Sequence, residues 1–560
     1  MKKRTSFLLF ALASVIFTSL KAQNAKEKGL QAITKQAVQG QLEFLSSDWT
    51  EGRHTGRPGA YMAADYITSL FKVYGLEPGG DMARTQISRA ERRNGKRPTR
   101  YRSFYQNFKL IEYKPGDNQE LSIVNNSRNG SYRLNLDYKT DFSVWASDIA
   151  VDIEAPIVFV GYGYENEEVK YNDYKGVDVN GKIILRLTGY PGHMDTSSQA
   201  FKKIGEKKYW QLRNGKSELA KKAGVIAIID ISPGNDPLNW WPDNIPFRYN
   251  SGNYEGDKKR TSYYDDRMKL PGDKLSESIP SIRMSERSLN ELLKDTKIDL
   301  EKFEEQVKNN LKPASKELKT KKIHLKTTVE SRIIEARNVI GVIPGKDTSE
   351  IIVVGGHYDH LGKHDGWIWN GADDNASGTV GVMTMAKAFM ASGEQPEKTI
   401  VFAAWTGEEK GLFGSKYFVD HPYNDSKVIL NLNYDMISRD NKDDTLGIKC
   451  QLNYTKKYPI LEELSEKNND DYSLGLDIKF KPSKRPGGGS DHSSFSNKDI
   501  PIIYFMAGFP QEYHQPEDHI NLVNFDKLVN IIKIGYLTIW DLGNSEWQNQ
   551  TDKKSTDEKP

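Results

Sequence analysis

Downstream of about residue 335 the apolar residues gather into short continuous runs, NVIGVIP, EIIVVGG, KTIVFAAW, VILNLNY and IPIIYFMAG, separated by stretches in which apolar positions recur at helical spacing. Runs that are apolar on both faces describe strands covered on both sides, and their alternation with helices describes crossover connections. This half of the chain therefore predicts an α/β fold, a mostly parallel central sheet flanked by helices. Helices are expected over about 378–390, near Ser415, over about 458–467 and over 525–542. Upstream, from Ala25 to about Gly80, two amphipathic stretches flank the polar segment LEFLSSDWTEGRHTGRPG, with Pro58 and Gly59 at the head of the second. Between about 146 and 325 the pattern changes to short strands and turns (APIVFVGYGY, GKIILRLTGYPG, GVIAIIDIS, IPSIRMS) around an amphipathic helix at 217–223, which predicts an inserted β-rich domain.

A length of 560 residues exceeds one ordinary core and fits this division. The expected parts are a leader, 1–22; an N-terminal part of the main domain, 23–145; the insertion, 146–325; the rest of the main domain, 326–545; and a polar, disordered tail, 546–560. The leader reads MKKRTSFLLFALASVIFTSLKAQ, a basic start, a short apolar run and a small residue before Gln23. That order is a secretory signal with cleavage after Ala22, so the product is expected to be exported, periplasmic or secreted, with no stable membrane anchor.

Lys+Arg 79 against Asp+Glu 76 leaves a formal charge of +3, which gives no electrostatic ground for nucleic acid as a partner. The Arg-rich stretch within 81–103 is expected to be a solvated loop. The aromatic stretch 239–266, with Trp240, Trp241, Tyr254, Tyr263 and Tyr264, either lines a substrate entrance or packs as a surface loop. Cys450 is the single cysteine, which excludes an intramolecular disulfide and a Cys-based zinc site and leaves it a small core residue.

Chemistry enters where the apolar runs stop. His357 follows IIVVGG, Glu408 and Glu409 follow TIVFAAWTG, Asp435 follows VILNLNY, His514 comes after IPIIYFMAG, and Asp374 lies just ahead of a helix that Asn375 or Ser377 is placed to cap. In open α/β sheets, ligands gather beyond the carboxyl ends of strands, and these residues share that placement. Four carboxylates and two imidazoles cannot converge in an interior without compensating cations. Nitrogen and oxygen donors without sulfur suit Zn2+, with Co2+ or Mn2+ as substitutes. Two divalent ions balance Asp374, Glu408, Glu409 and Asp435, whereas one ion leaves excess buried anion.

The motifs HYDHLG, GADDNASG, TGEEKGLFGS, NYDMI, GGSDHSSF and YHQPEDH resemble the series found in the co-catalytic zinc aminopeptidases, a family that includes secreted bacterial leucyl aminopeptidases. The resemblance covers the helical N-terminus and about 335–542; the middle segment resembles, more loosely, the protease-associated domain inserted in such enzymes. It implies two Zn2+ per chain, with His357 and Asp435 on one ion, Glu409 and His514 on the other, and Asp374, rather than Asp373, bridging. It further implies that Asp359 orients His357 through its second nitrogen and that Glu408 is the general base for a metal-activated water. His492, after the glycines 487–489 of a mobile loop, is expected at the substrate pocket, and His360, His364 and His519 at the surface or behind the ligands.

The function implied is that of an exported metallo-exopeptidase removing N-terminal amino acids from peptide substrates, with a lid-like insertion. Its relatives leave as alternatives a carboxypeptidase or dipeptidase, a glutaminyl cyclase, and a non-catalytic binding protein of the transferrin-receptor kind. The filled ligand set argues against the last two.

Overall fold

The structure, a computed structural model, describes residues 24–127, 130–233, 248–249, 266–364 and 366–549. The leader and the five aromatic residues of 239–266 named above lie outside the described residues. The chain divides into two compact units, one made of 1–110 with 334–560 and the other of 111–333.

The second unit is wider than the expected 146–325. Strands Glu120–Ser127 and Gly130–Leu136 pair with each other, and the first of them pairs with Lys316–Lys326, so they belong to the same sheet as the insertion. The apolar signal of the second is weak for a physical reason: Gly130–Leu136 is exposed along most of its length and buries only Leu136. Within this unit the strands Asp152–Phe159, Ile183–Leu187, Ala227–Pro233 and Ser281–Met284 run parallel around a core that includes Ile157, Leu185, Ile229 and Ile282.

In the first unit the elements that position the site are α1 (Lys35–Leu45), α2 (Pro58–Tyr74), β1 (Val329–Ile343), β2 (Asp347–His357), α3 (Gly378–Ser392), β3 (Lys398–Trp405), α4 (Phe413–Asp420), β4 (Lys427–Tyr434), β5 (Lys449–Thr455), α5 (Ile460–Asp471), β6 (Asp477–Ser483), β7 (Ile502–Met506) and α6 (Phe525–Gly543). The sheet order is β1-β3-β2-β4-β7-β5-β6. Strands β3, β2, β4 and β7 are mutually parallel, while β1 and β5 border them antiparallel. The expected parallel core is present, with every residue of β3 and β7 buried.

Helix starts follow their sequence signals. Thr34 caps α1 by accepting from the Ala37 N–H, and Pro58 opens α2, which closes on Gly75 at φ 90°. Helix α3 is apolar on almost every side because it lies between the sheet and other helices, Phe389 packing edge-on to Tyr536 of α6 at 4.9 Å. Cys450 is buried in β5, as a small core residue. The Arg-rich stretch folds into the short helix Arg89–Arg93 and a two-strand ribbon, with the helix side chains largely exposed.

The expected start of the tail at 546 is too early. Trp547 is buried, its ring edge-on to Tyr458 at 5.2 Å, so order extends through a last helical turn, Trp547–Asn549. One aromatic in a polar stretch supplies that anchor. Residues 550–560 lie outside the described residues.

Close approach fixes where α3 begins. A Cβ on Gly378 would stand 2.3 Å from Asn375 Oδ1 and 2.4 Å from the Tyr434 carbonyl oxygen. Gly378→Ala is expected to destabilise the chain by about 1–3 kcal/mol through overpacking, against the roughly 0.5–1 kcal/mol gain of an unobstructed helical Gly→Ala. Denaturant unfolding of the purified variant checks this, and an unchanged or raised midpoint contradicts it.

Candidate metal centre

Parallel strands in register bring their carboxyl ends level. Gly355 of β2 stands opposite Ala403 of β3 and Asn433 of β4, and Tyr434 stands opposite Phe505 of β7. His357 ends β2, Asp435 follows β4 directly, Glu408 and Glu409 lie in the turn after β3, and His514 in the loop after β7. Asp374 is set by the turn into α3: the Asn375 amide donates to the Tyr434 carbonyl at 2.9 Å, and Asn375 Oδ1 accepts the Gly378 N–H at 2.8 Å. Asn375, not Ser377, thus satisfies the helix start.

The structure brings all six residues together, in two adjoining clusters. In the first, His357 Nε2 lies 3.4 Å from Asp435 Oδ1, 3.5 Å from Asp374 Oδ1 and 3.9 Å from Glu408 Oε2. In the second, His514 Nε2 lies 2.9 Å from Asp374 Oδ2 and 3.4 Å from Glu409 Oε2. Asp374 belongs to both, one oxygen facing each. Among the described residues, the groups of three or more side chains able to hold an ion are His357, Glu408 and Asp435, and His360, Asp374 and Glu409.

His360 is thus a site residue, not a surface one. It is buried, and its Nδ1 lies 2.7 Å from Glu409 Oε1. The signal was the second histidine of HYDH, three residues past a strand end, where the chain turns back toward the site. His364 is half-buried and His519 exposed.

Asp359 departs from its expected geometry. His357 Nδ1 is 3.1 Å from the main-chain oxygen of Asp359, while the carboxylate stands 3.8 Å away. The carboxylate instead accepts from Thr55 Oγ1 at 2.8 Å and from the Glu408 N–H at 3.2 Å, and those two donors draw it off the imidazole. His492 is buried and stacks on Tyr504 at 4.2 Å.

Four further groups were not assigned from sequence. Asp373 accepts from the Ser438 N–H and hydroxyl at 2.9 and 2.7 Å. Asp518 accepts the N–H groups of Asp373 and Asp374 and lies 3.5 Å from Arg439. Asp491 is fully buried, and so is Arg53, whose guanidinium donates to main-chain carbonyls. Asp491 and Asp518 sit inside the motifs GGSDHSSF and YHQPEDH, whereas nothing in the polar loop around Arg53 marked it.

Charge balance is therefore tighter than four carboxylates against two ions, because Asp359, Asp373, Asp491 and Asp518 are buried in the same neighbourhood. Burial, with Glu409 and Asp435 beside it, pushes the Asp374 carboxyl well above the usual range. Burial does the same for Glu408, with Glu409, Asp435 and Asp491 adding to it against His357. Asp373, Asp491 and Asp518 are each pushed up to about 7, mainly by burial. For His357 burial works downward, but Glu408, Asp435 and Asp374 carry it well above its ordinary value. His360 is held well below by burial, Arg53 and His514.

These residues fit divalent cations. The donor set is imidazole and carboxylate, and Asp435 Oδ1 and His360 Nε2 are buried without a hydrogen-bond partner. Protonation and the two arginines, Arg53 and Arg439, relieve part of this charge, and bound cations would relieve the rest.

Residues 338–537 match the family model for peptidase family M28. The chain is 26% identical over 434 residues to a glutamate carboxypeptidase 2 homolog of Caenorhabditis elegans, covering 67% of this chain and 52% of that protein. It is 28% identical over 233 residues to leupeptin-inactivating enzyme 1 of Streptomyces exfoliatus, covering 37% and 48%. It is 34% identical over 177 residues to leucine aminopeptidase 2 of Arthroderma otae, covering 30% and 33%. The chain spans about half the length, or less, of these relatives. Its fold is similar to that of an aminopeptidase from Aneurinibacillus sp. strain AM-1 (TM-score 0.54, 19% identity, 92% of this chain and 95% of that one). It is likewise similar to the fold of a zinc aminopeptidase from Bacillus subtilis (TM-score 0.52, 19% identity, 92% and 96%). The segment that matches the peptidase family M28 model contains all of the expected ligands, which stand at the carboxyl ends of the parallel strands.

Proposed function

We propose that the first unit is a dinuclear zinc exopeptidase that removes N-terminal amino acids from peptides. One observation carries the reading: Asp374 faces the His357–Asp435 cluster with Oδ1 and the His514–Glu409 cluster with Oδ2, at 3.5 and 2.9 Å from the two imidazoles. A carboxylate shared in this way suits a pair of divalent ions. His357 and Asp435 would hold one, Glu409 and His514 the other, with Co2+ or Mn2+ as substitutes. When bound, the ions supply Lewis-acid polarisation of the scissile carbonyl and acidify a water.

Glu408 supplies the proton handling. It lies beside the His357 cluster, 3.9 Å from the ring, with its side chain 10% exposed. Its carboxylate accepts a proton from the attacking water and returns it to the leaving amine. Burial and neighbouring anions raise its proton affinity, which fits a group that takes up a proton from water. Asp359 holds the Glu408 main chain through its N–H and, through its own carbonyl, the His357 ring. His492, stacked on Tyr504, is read as part of the substrate pocket.

Export is part of the proposal and rests on the leader MKKRTSFLLFALASVIFTSLKAQ. No helix among the described residues is long and apolar enough to cross a membrane. The second unit is read as protease-associated-like, on the strength of its own sheet and core. A second reading, carboxypeptidase action, is favoured by the Caenorhabditis elegans relative, whose match covers 67% of this chain.

Glu408→Gln is expected to keep bound zinc and to lower turnover about 10²–10⁴-fold. Zinc content and initial rates check it, and unchanged turnover removes Glu408 as the base. The mature enzyme, expected to begin at Gln23 by N-terminal sequencing, should cleave amino-acid arylamides and leave N-acylated peptides intact. Cleavage of the acylated peptides from their carboxyl ends would favour the second reading, and cyclisation of glutaminyl peptides would contradict both.

A further inference from the structure

The turn that joins α1 to α2 reaches into the metal centre. Its backbone is left-handed over three successive residues, Glu51 at φ 45°, Gly52 at 65° and Arg53 at 54°. Two of these are not glycine, a conformation that persists only where the surroundings over-determine it. The surroundings here are close: a Cβ on Gly52 would stand 2.4 Å from the Gly362 carbonyl oxygen and 2.5 Å from that of Trp369. The turn thus delivers the Arg53 side chain into the interior, where it has no measurable exposure.

What that guanidinium does is unusual for a charge surrounded by acids. It donates to main-chain carbonyls: Nε to Tyr358 at 2.7 Å, Nη1 to Leu45 and to Asn370 at 2.6 Å, and Nη2 to Gly371 at 2.9 Å. Tyr358 lies between His357 and Asp359, and Asn370 and Gly371 begin the turn that carries Asp374. The Arg53 carbonyl in turn accepts the His360 N–H at 3.3 Å. Two residues on, Thr55 Oγ1 donates to Asp359 Oδ2 at 2.8 Å, and the other oxygen of Asp359 accepts the Glu408 N–H at 3.2 Å. Three separate segments of the site, 357–360, 370–374 and 408–409, are therefore tied to one turn.

A planar fork with five N–H donors matches several fixed carbonyls at once, which an ammonium on a flexible stem does not. Because those donors are spent on carbonyls, the arginine brings a fixed positive charge near Asp374, Asp359 and Glu409 without occupying the oxygen lone pairs that ions need. A direct salt bridge to any of these ligands would compete with metal; this arrangement does not.

We propose that Arg53 and Thr55 are positioning residues that pre-form the metal centre, Arg53 by fixing the two ligand-bearing loops through their carbonyls and Thr55 by holding Asp359 against Glu408. The inference rests on the dinuclear reading above.

The test is zinc affinity of the metal-free chain, measured by competition with a chromophoric chelator, alongside the melting temperature of the metal-free form and the visible spectrum of the cobalt-loaded form. Arg53→Lys keeps the charge and loses the fork; Thr55→Val replaces one hydroxyl by a methyl. Arg53→Lys is expected to weaken zinc about 10–100-fold and Thr55→Val about 10-fold, each with a shifted cobalt spectrum. Melting temperatures lowered with zinc affinity and cobalt spectrum unchanged would show a merely structural role and overturn the proposal. So would wild-type affinity in Arg53→Lys with tighter binding in Arg53→Met, the result expected if the charge alone mattered. Should the Arg53 variants fail to fold, Thr55→Val decides, since unaltered zinc binding there removes the link from Thr55 to Asp359 on which the proposal depends. Absence of zinc binding by the unaltered chain would instead remove the dinuclear reading itself.

Discussion

Crowded, buried negative charge is the constraint around which the first unit is organised. Asp359, Asp374, Glu408, Glu409 and Asp435 meet in one place, with Asp373, Asp491 and Asp518 packed behind them. An uncompensated buried ion costs several kcal/mol even after relaxation, whereas a fully buried aliphatic side chain returns only about 1.5–3 kcal/mol. Such a cluster persists only if a large rigid core holds it and positive charge meets it. The parallel strands provide the first: β3 and β7 are buried from end to end, β2 and β4 along their carboxyl-terminal parts, and their shared direction sends every carboxyl end to the same edge. Arg53 and Arg439 provide part of the second, and the imidazole and carboxylate donors suit divalent ions for the rest.

Chemistry then follows from which groups remain available. Hydroxyls and main-chain N–H groups donate to the oxygens of Asp359 and Asp373, so those carboxylates act as braces. Asp374, Asp435 and Glu409 keep oxygens turned toward imidazoles, which is the arrangement of ligands. Glu408 has the most exposed side chain of the central carboxylates, at 10% against 7% for Asp435. The match of residues 338–537 to the model of peptidase family M28 accords with that division of labour.

How much of this was legible in the sequence depended on how local the signal was. Continuous apolar runs announced the parallel strands because burial on both faces removes the alternation that surface strands show, and the strand ends then located His357, Glu408, Glu409, Asp435 and His514. Groups that act across long separations left less trace. Arg53 sits about 300 residues from the loops it braces, in a stretch that reads as an ordinary polar turn, and only folding reveals where its donors go. His360 was expected at the surface or behind the ligands, since periodicity after a strand end does not say which way a loop turns. The second unit's edge was misplaced for the opposite reason: exposed strands such as Gly130–Leu136 pair through backbone, which carries no side-chain pattern.

The central claim is that the two clusters meeting at Asp374 hold a pair of ions. Anomalous diffraction at the zinc edge from crystals of the metal-loaded protein tests it most directly. Two peaks flanking the Asp374 carboxylate, one beside His357 and Asp435 and one beside Glu409 and His514, are predicted. A single peak, or peaks away from these side chains, would contradict the account.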